Sequence, residues 1–171
     1  MELYLIRHAE AVELGEQGIT TDEERPLTSK GERQAEDAAR ALRSRGVVLD
    51  TLLTSPLVRA RQTADILQRV WDQPTSFVQV CDELSPGVKM RKLSKALMKM
   101  EAERVGLVGH MPQLGDFTAW LLGEKSVQID LAKAGVALVV CGDAPGKGLG
   151  SLQWLVTPEW YTDGKAPSSN P

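Results

Sequence analysis

Arg7-His8-Ala9 follows directly on the apolar run Leu3-Tyr4-Leu5-Ile6. A cation and an imidazole at the C-terminal end of a buried strand stand where α/β proteins gather their chemistry. Three further segments carry related groups: Arg25-Pro26-Leu27-Thr28, the stretch from Ser55 through Arg59 to Thr63, and Gly109-His110. They place Arg7, Arg25, Arg59 and the chain's two histidines, His8 and His110, at expected element ends. A guanidinium donates two parallel hydrogen bonds to phosphate oxygens. A neutral imidazole attacks phosphorus once an acceptor on its other nitrogen fixes the tautomer. The set therefore suits holding a phosphoryl group and attacking it. Taken singly, each member has a plainer reading as a surface arginine or a structural histidine, so the case rests on their conjunction.

The elements that must position these residues alternate between strand and helix. Residues 2–6 read as the first strand, and the polar stretch 10–27 as a long loop over its end. Thr28 or Ser29 opens a helix, with Ser29-Lys30-Gly31-Glu32 fitting a capping box, and Gly46 stops it. Val47 to Leu53 reads as the second strand. Ser55-Pro56 predicts a helix start with Ser as N-cap, running to about Val70 and placing Arg59 one turn inside. Phe77 to Val80 reads as a short strand, 89–102 as a helix, and Val105 to Val108 as a strand ending at His110. Pro112 begins a helix through Leu122, and Val136 to Cys141 pairs with Leu152 to Val156 as a hairpin. The pattern predicts a three-layer α/β/α sandwich on a mostly parallel, mixed sheet. One domain is expected over 1–161, with a polar, frayed tail over 162–171.

Bulk properties narrow the function classes. The chain has 171 residues and is 42% hydrophobic, enough for a proper core. Its net charge of −3 gives no global field for nucleic acid or membrane, so an anion must be caught by a local cluster. The basic stretch Lys89, Arg91, Lys92, Lys95, Lys99 reads as the solvated face of a helix, or else as a dock for an acidic partner. Cys81 and Cys141 lack metal or redox spacing and read as reduced thiols. No HxH or HExxH spacing occurs, so no metal and no cofactor are expected. No segment has the length of a membrane span, and the N-terminal run is too short for a signal peptide, so the cytoplasm is the expected location.

These blocks, in this order, resemble the histidine phosphatase superfamily, the phosphoglycerate mutase-like fold, from Leu3 to about Trp160. Arg7-His8 is similar to the family's Arg-His-Gly signature, with Ala9 where glycine is usual. Ser55-Pro56-x-x-Arg59-Ala60-x-Gln62-Thr63 is similar to its second block and Gly109-His110 to its second histidine. The short length, Arg25-Pro26-Leu27-Thr28 and Gly109-His110-x-Pro112 resemble the small phosphohistidine phosphatases of the SixA type. The resemblance implies His8 as nucleophile, with Arg7, Arg59 and His110 as phosphate-pocket residues. It also implies Arg25, with Ala9 and Met111, as substrate contacts, and Glu83 as a candidate proton donor ahead of Asp82 and Glu10. The expected reaction is metal-independent transfer of a phosphoryl group to His8 and then to water, with a protonated His110 neutralising oxygen charge. The expected partner is a phosphohistidine-bearing protein, such as a phosphotransfer domain, or a small phosphate ester. A small-molecule phosphomonoesterase and a non-catalytic phosphate-binding module are the alternatives.

Overall fold

A computed structural model of the chain describes residues 1–124, 126–142 and 144–160. The tail expected over 162–171 lies outside the described residues. Six strands form one sheet: β1 (Glu2–Arg7), β2 (Thr51–Thr54), β3 (Val78–Val80), β4 (Arg104–Gly109), β5 (Val136–Cys141) and β6 (Gly150–Val156). Their order across the sheet is β3-β2-β4-β1-β5-β6. The first four run parallel to one another, and β5 pairs antiparallel with both β1 and β6, so the sheet is mixed as expected.

Helices cover both faces: α1 (Ser29–Ser44) and α2 (Val58–Val70) on one, α3 (Met90–Leu97) and α4 (Gln113–Leu121) on the other. The two-residue period of β1 shows why two layers are needed. Tyr4 and Ile6 pack into the α1–α2 core, with Ala35, Ala39, Leu42 and Leu67. Leu3 and Leu5 pack into the α3–α4 core, with Leu93, Leu97, Leu114 and Phe117. A leucine buried this completely contributes about 2 kcal/mol relative to exposure.

Local chemistry shifts several boundaries from the sequence reading. Thr28, not Ser29, caps α1: its Oγ1 accepts from the Gly31 amide at 3.0 Å. Gly31 cannot be larger, because a Cβ there would lie 1.9 Å from the Glu10 carbonyl oxygen. That close approach ties the start of α1 to the end of β1. Gly46, at φ 76°, does stop α1. The second strand is only Thr51–Thr54, because Asp50 turns its carboxylate onto the amides of Glu103 and Arg104 at 3.0 and 2.8 Å. Val48 is left exposed. α3 ends at Leu97, short of 102, where Lys99 and Met100 close tighter turns onto the Ala96 and Leu97 carbonyls.

α2 begins at Val58, two residues later than the Ser55 cap predicts. The Ser55 amide still bonds to the Val108 carbonyl at 2.9 Å, so residue 55 extends the sheet rather than opening the helix. Its hydroxyl is engaged at 2.8 Å by the His110 ring. Arg59 is thereby the second residue of α2, near the helix's free amides.

Candidate active site

β1 and β4 are parallel neighbours with Arg7 opposite Gly109. The next residue on each strand is a histidine, and the His8 amide bonds to the Gly109 carbonyl at 3.0 Å. The register therefore brings the two imidazoles side by side, ring centroids 5.1 Å apart and tilted by 56°. Both residues are buried.

The His8 ring is held at both nitrogens. Nδ1 lies 2.7 Å from the Ala9 carbonyl oxygen, which can only accept, so Nδ1 carries the proton. Nε2 lies 3.1 Å from Arg59 Nε, which can only donate, so Nε2 presents its lone pair. The acceptor that fixes the tautomer is thus the backbone of Ala9. Ala9 is fully buried, donates its amide to Thr63 Oγ1 at 3.2 Å, and is not among the residues of positive φ. A methyl is tolerated where the family signature has glycine because this backbone needs no left-handed conformation. Burial is the largest influence on His8 and pushes its pKa down to about 4; the Ala9 carbonyl opposes this, and Arg59, Arg7 and Arg25 add to it. The ring is neutral at pH 7.

His110 is pushed down to about 3, first by burial and then by His8 and Arg59. Its ring is also neutral at pH 7 in the free protein, whereas the imidazolium that the sequence reading expects belongs to the phosphoryl-bound site. Desolvation inside the sheet end, which sequence spacing does not reveal, is the reason. Its Nε2 pairs with Ser55 Oγ, while its Nδ1 is buried with no partner.

Arg59 is buried and fully engaged: besides His8, it donates from Nη1 to the Asp22 carbonyl at 2.6 Å and from Nη2 to the Asp22 carboxylate at 2.8 Å. Arg7 donates from Nη1 to the Leu131 carbonyl at 2.7 Å, and its Nε is buried without a partner. Arg25 donates to the Val12 carbonyl and to Asp22 and Glu13 carboxylates, at 2.7, 2.9 and 3.2 Å. Its charge reaches His8. Met111, half-buried, precedes a cis Pro112 and shares a cleft of about 280 Å³ with His110, Met90 and Gln113.

Glu83 sits on the 3-10 turn Asp82–Leu84, and its carboxylate accepts from the Cys81 thiol at 3.4 Å. No described hydrogen bond or ion pair links that carboxylate to His8, Arg59 or His110. Its backbone does join the site wall, since Gln113 Nε2 donates to the carbonyls of Glu83, Ser85 and Val88. Glu10 is committed to Lys30 at 2.8 Å and to Thr28.

Sequence reasoning did not single out Asp22, Gln113 or the hydroxyl of Ser55 as contacts. Asp22 bridges Arg25 and Arg59. Burial works to raise its pKa, but hydrogen bonds from Arg25 and Arg59 outweigh this and hold it below the usual carboxylate range. The available signal was a carboxylate three residues before Arg25 on the loop that must close over two cations. Among the described residues, three buried side-chain polar atoms lack a partner: Arg7 Nε, His110 Nδ1 and Gln113 Oε1. All three belong to this end of the sheet or its wall. Orphaned polar atoms are rare in a folded interior, and these three cluster about the paired histidines. No described group of three or more His, Cys, Asp or Glu side chains is arranged to hold a metal. No helix among the described residues is long and apolar enough to cross a membrane.

Comparison with known proteins gives a consistent result. The family model of the histidine phosphatase superfamily, branch 1, matches residues 3–128. An uncharacterised protein of Picosynechococcus is 35% identical over 94% of this chain and 98% of its own. The phosphohistidine phosphatase SixA of Escherichia coli K12 is 26% identical over 92% of this chain and 94% of its own. A structure of the protein histidine phosphatase SixA complexed with tungstate superposes with a TM-score of 0.83 at 24% identity, covering 95% of this chain and all of that one. That likeness shows the fold.

Proposed function

The chain belongs to branch 1 of the histidine phosphatase superfamily, and from that premise we propose that it is a metal-independent phosphohistidine phosphatase working through a covalent intermediate on His8. The observation that carries the mechanism is the locked His8 ring. Its Nε2 lone pair is presented within a cluster of guanidiniums, and the ring stays neutral at working pH.

In the first step Arg59 Nε turns from His8 to a phosphoryl oxygen, and the freed Nε2 lone pair forms a bond to phosphorus as the bond to the substrate's ring nitrogen breaks. The leaving imidazole takes the electron pair of that bond and departs neutral, because the other nitrogen of the phosphohistidine ring carries a proton throughout. In the second step water attacks the same phosphorus, His8 Nε2 recovers its lone pair, and inorganic phosphate departs. Arg7, Arg25 and Arg59 neutralise the equatorial oxygens in both transition states, supplying the charge stabilisation that dominates phosphoryl transfer. The incoming phosphoryl oxygens compete with Asp22 for Arg59 and Arg25, and meet the unpartnered donor Arg7 Nε. A phosphoryl dianion between the two rings favours the imidazolium form of His110, which then donates to an oxygen. Ser55 holds that ring in place. An imidazole leaves readily once protonated, so Glu83 is not required close to the scissile bond in this reading.

The substrate class draws support from the SixA relative, which matches almost end to end. Among the described residues no large insertion roofs the pocket as a sugar-phosphate site would need, which favours a phosphohistidine displayed on another protein. A cytoplasmic place and a signalling role go with this reading, as does one domain over 1–161. The test is phosphate release from a phosphohistidine protein and from p-nitrophenyl phosphate, with EDTA present, beside His8→Ala. Release from the phosphohistidine protein that vanishes in the variant supports the proposal. Release from small esters alone moves the substrate to metabolites. No release from either by the folded protein makes the site a phosphate-binding module.

A further inference from the structure

The segment 89–99 carries five cations, Lys89, Arg91, Lys92, Lys95 and Lys99, and no acid, in a chain of net charge −3. All five are exposed. None is ion-paired with a described residue. Their placement works against the helix that bears them. The first turn of α3 holds cations and no acid, so positive charge meets the positive end of the helix dipole. Helix stability does not explain the pattern.

The position of α3 does. Lys89 and Met90 share a cleft with His110 and Met111. On their other side Lys89, Met90 and Arg91 share a second cleft, of about 320 Å³, with Trp120 and Lys147. Met90 is common to both clefts, so an apolar strip with a basic rim leads outward from the second histidine. Asp116 is the acid on that rim. Met90, Arg91 and Trp120 are of the residue types enriched in protein contact surfaces. The cations extend from Lys89 to Lys99, past the end of α3, for roughly 15 Å at the helical rise, so a small ester seated on His8 would not touch Lys95 or Lys99.

We infer that α3 and the clefts flanking Met90 form a docking face for an acidic protein segment that carries the phosphohistidine. This rests on the phosphohistidine reading above and adds the chemistry of the partner: carboxylates on the surface around the modified histidine, and an apolar side chain that enters beside Met90. Opposite charge speeds encounter and aligns the phosphohistidine with His8.

Three substrates test it with the full chain: phosphoimidazole, a helical phosphohistidine peptide flanked by glutamates, and the same peptide with lysines in their place. The wild type is expected to prefer the acidic over the basic peptide by about tenfold in kcat/KM at low salt, the preference shrinking as salt rises. Lys92→Glu/Lys95→Glu, both exposed, should lose that preference and keep the wild-type rate on phosphoimidazole. Equal use of both peptides by the wild type overturns the docking face, as does an unchanged preference in the double variant. Anisotropy with the two unphosphorylated peptides separates the inferences. Salt-sensitive binding of the acidic peptide without turnover of any phosphohistidine substrate overturns the catalytic reading and leaves the docking face standing. Tighter binding of a single-stranded oligouridylate than of the acidic peptide overturns the docking face in favour of nucleic acid.

Discussion

The floor and the roof of the site are built by different physics. The floor is the pair of strand ends, where His8 and His110 sit side by side because β1 and β4 share a register. Backbone ladders fix it, and a shift of either strand would break many bonds at once. The roof is the loop between β1 and α1, where Arg25 bonds the Asp22 carboxylate, Arg59 bonds both the carboxylate and the carbonyl of Asp22, and the Val58 amide bonds the Glu23 carbonyl, so that side chains make most of the closure. Ladder-built geometry is rigid and holds the nucleophile. Side-chain-built geometry exchanges partners, which is what a place that admits and releases phosphate requires.

Variants that break the floor should cost most. His8→Ala removes the nucleophile, and phosphate release should fall about 10⁴-fold or more, measured with phosphohistidine as substrate. Arg59→Ala strikes floor and roof together, since one guanidinium orients His8 and anchors Asp22. Its kcat/KM should fall about 10³-fold, the loss typical of one preorganised charge-stabilising donor. A loss below tenfold would show that Arg59 serves the loop and not the reaction.

Ser55→Ala touches the floor more gently by releasing His110 Nε2. We expect about a tenfold lower kcat with KM little changed. A changed KM with intact kcat would place Ser55 in substrate binding instead. Asp22→Asn loosens the roof alone. It frees donors on Arg59 and Arg25, so inorganic phosphate or tungstate should bind about three- to tenfold tighter by calorimetry, a gain on the order of 1 kcal/mol. Because the Asp22 carboxylate is half exposed, global stability should change by no more than about 1 kcal/mol. Weaker oxyanion binding would mean that Asp22 positions the arginines rather than competing for them.

Acid should distinguish floor from roof as well. The folded-state pKa values of His8 and His110 lie near 4 and 3, below the ordinary 6.5 of an unfolded histidine. Between these limits the unfolded chain binds more protons, so stability is present above pH 6.5 and falls as pH drops towards 4. A loss on the order of 5 kcal/mol between pH 7 and 4.5, about half from each histidine, is expected in urea titrations. A His8→Asn/His110→Asn variant should lose clearly less. The catalytic counterpart is that kcat/KM should show no acid limb near pH 6.5, since His8 in the free protein remains neutral well below it.

The same contrast explains what could be read from the amino-acid sequence. Leu3 to His8 and Val105 to His110 were legible because an apolar run followed by a polar side chain is a local signal. A parallel sheet then puts both ends on one edge. Arg59 was legible as a cation near a helix start, although Ser55 was misread: serine before proline signals a cap, and nothing local shows that His110 engages the hydroxyl. Asp22 was not legible, because the loop has no period and its closure depends on partners distant in the chain. The tautomer of His8 was foreseen as a need, but its acceptor, the carbonyl of Ala9, is invisible to side-chain patterns. The shortening of the second strand follows from Asp50, whose carboxylate finds the amides of β4 only in three dimensions.

The most direct measurement is to quench the protein during turnover of a phosphohistidine substrate and map the acid-labile phosphate by mass spectrometry and phosphorus NMR. Phosphate on Nε2 of His8, formed and lost at the turnover rate and missing in His8→Ala, is the predicted result. Turnover with phosphate on another residue, or on Nδ1 of His8, would contradict the mechanism that the locked ring implies.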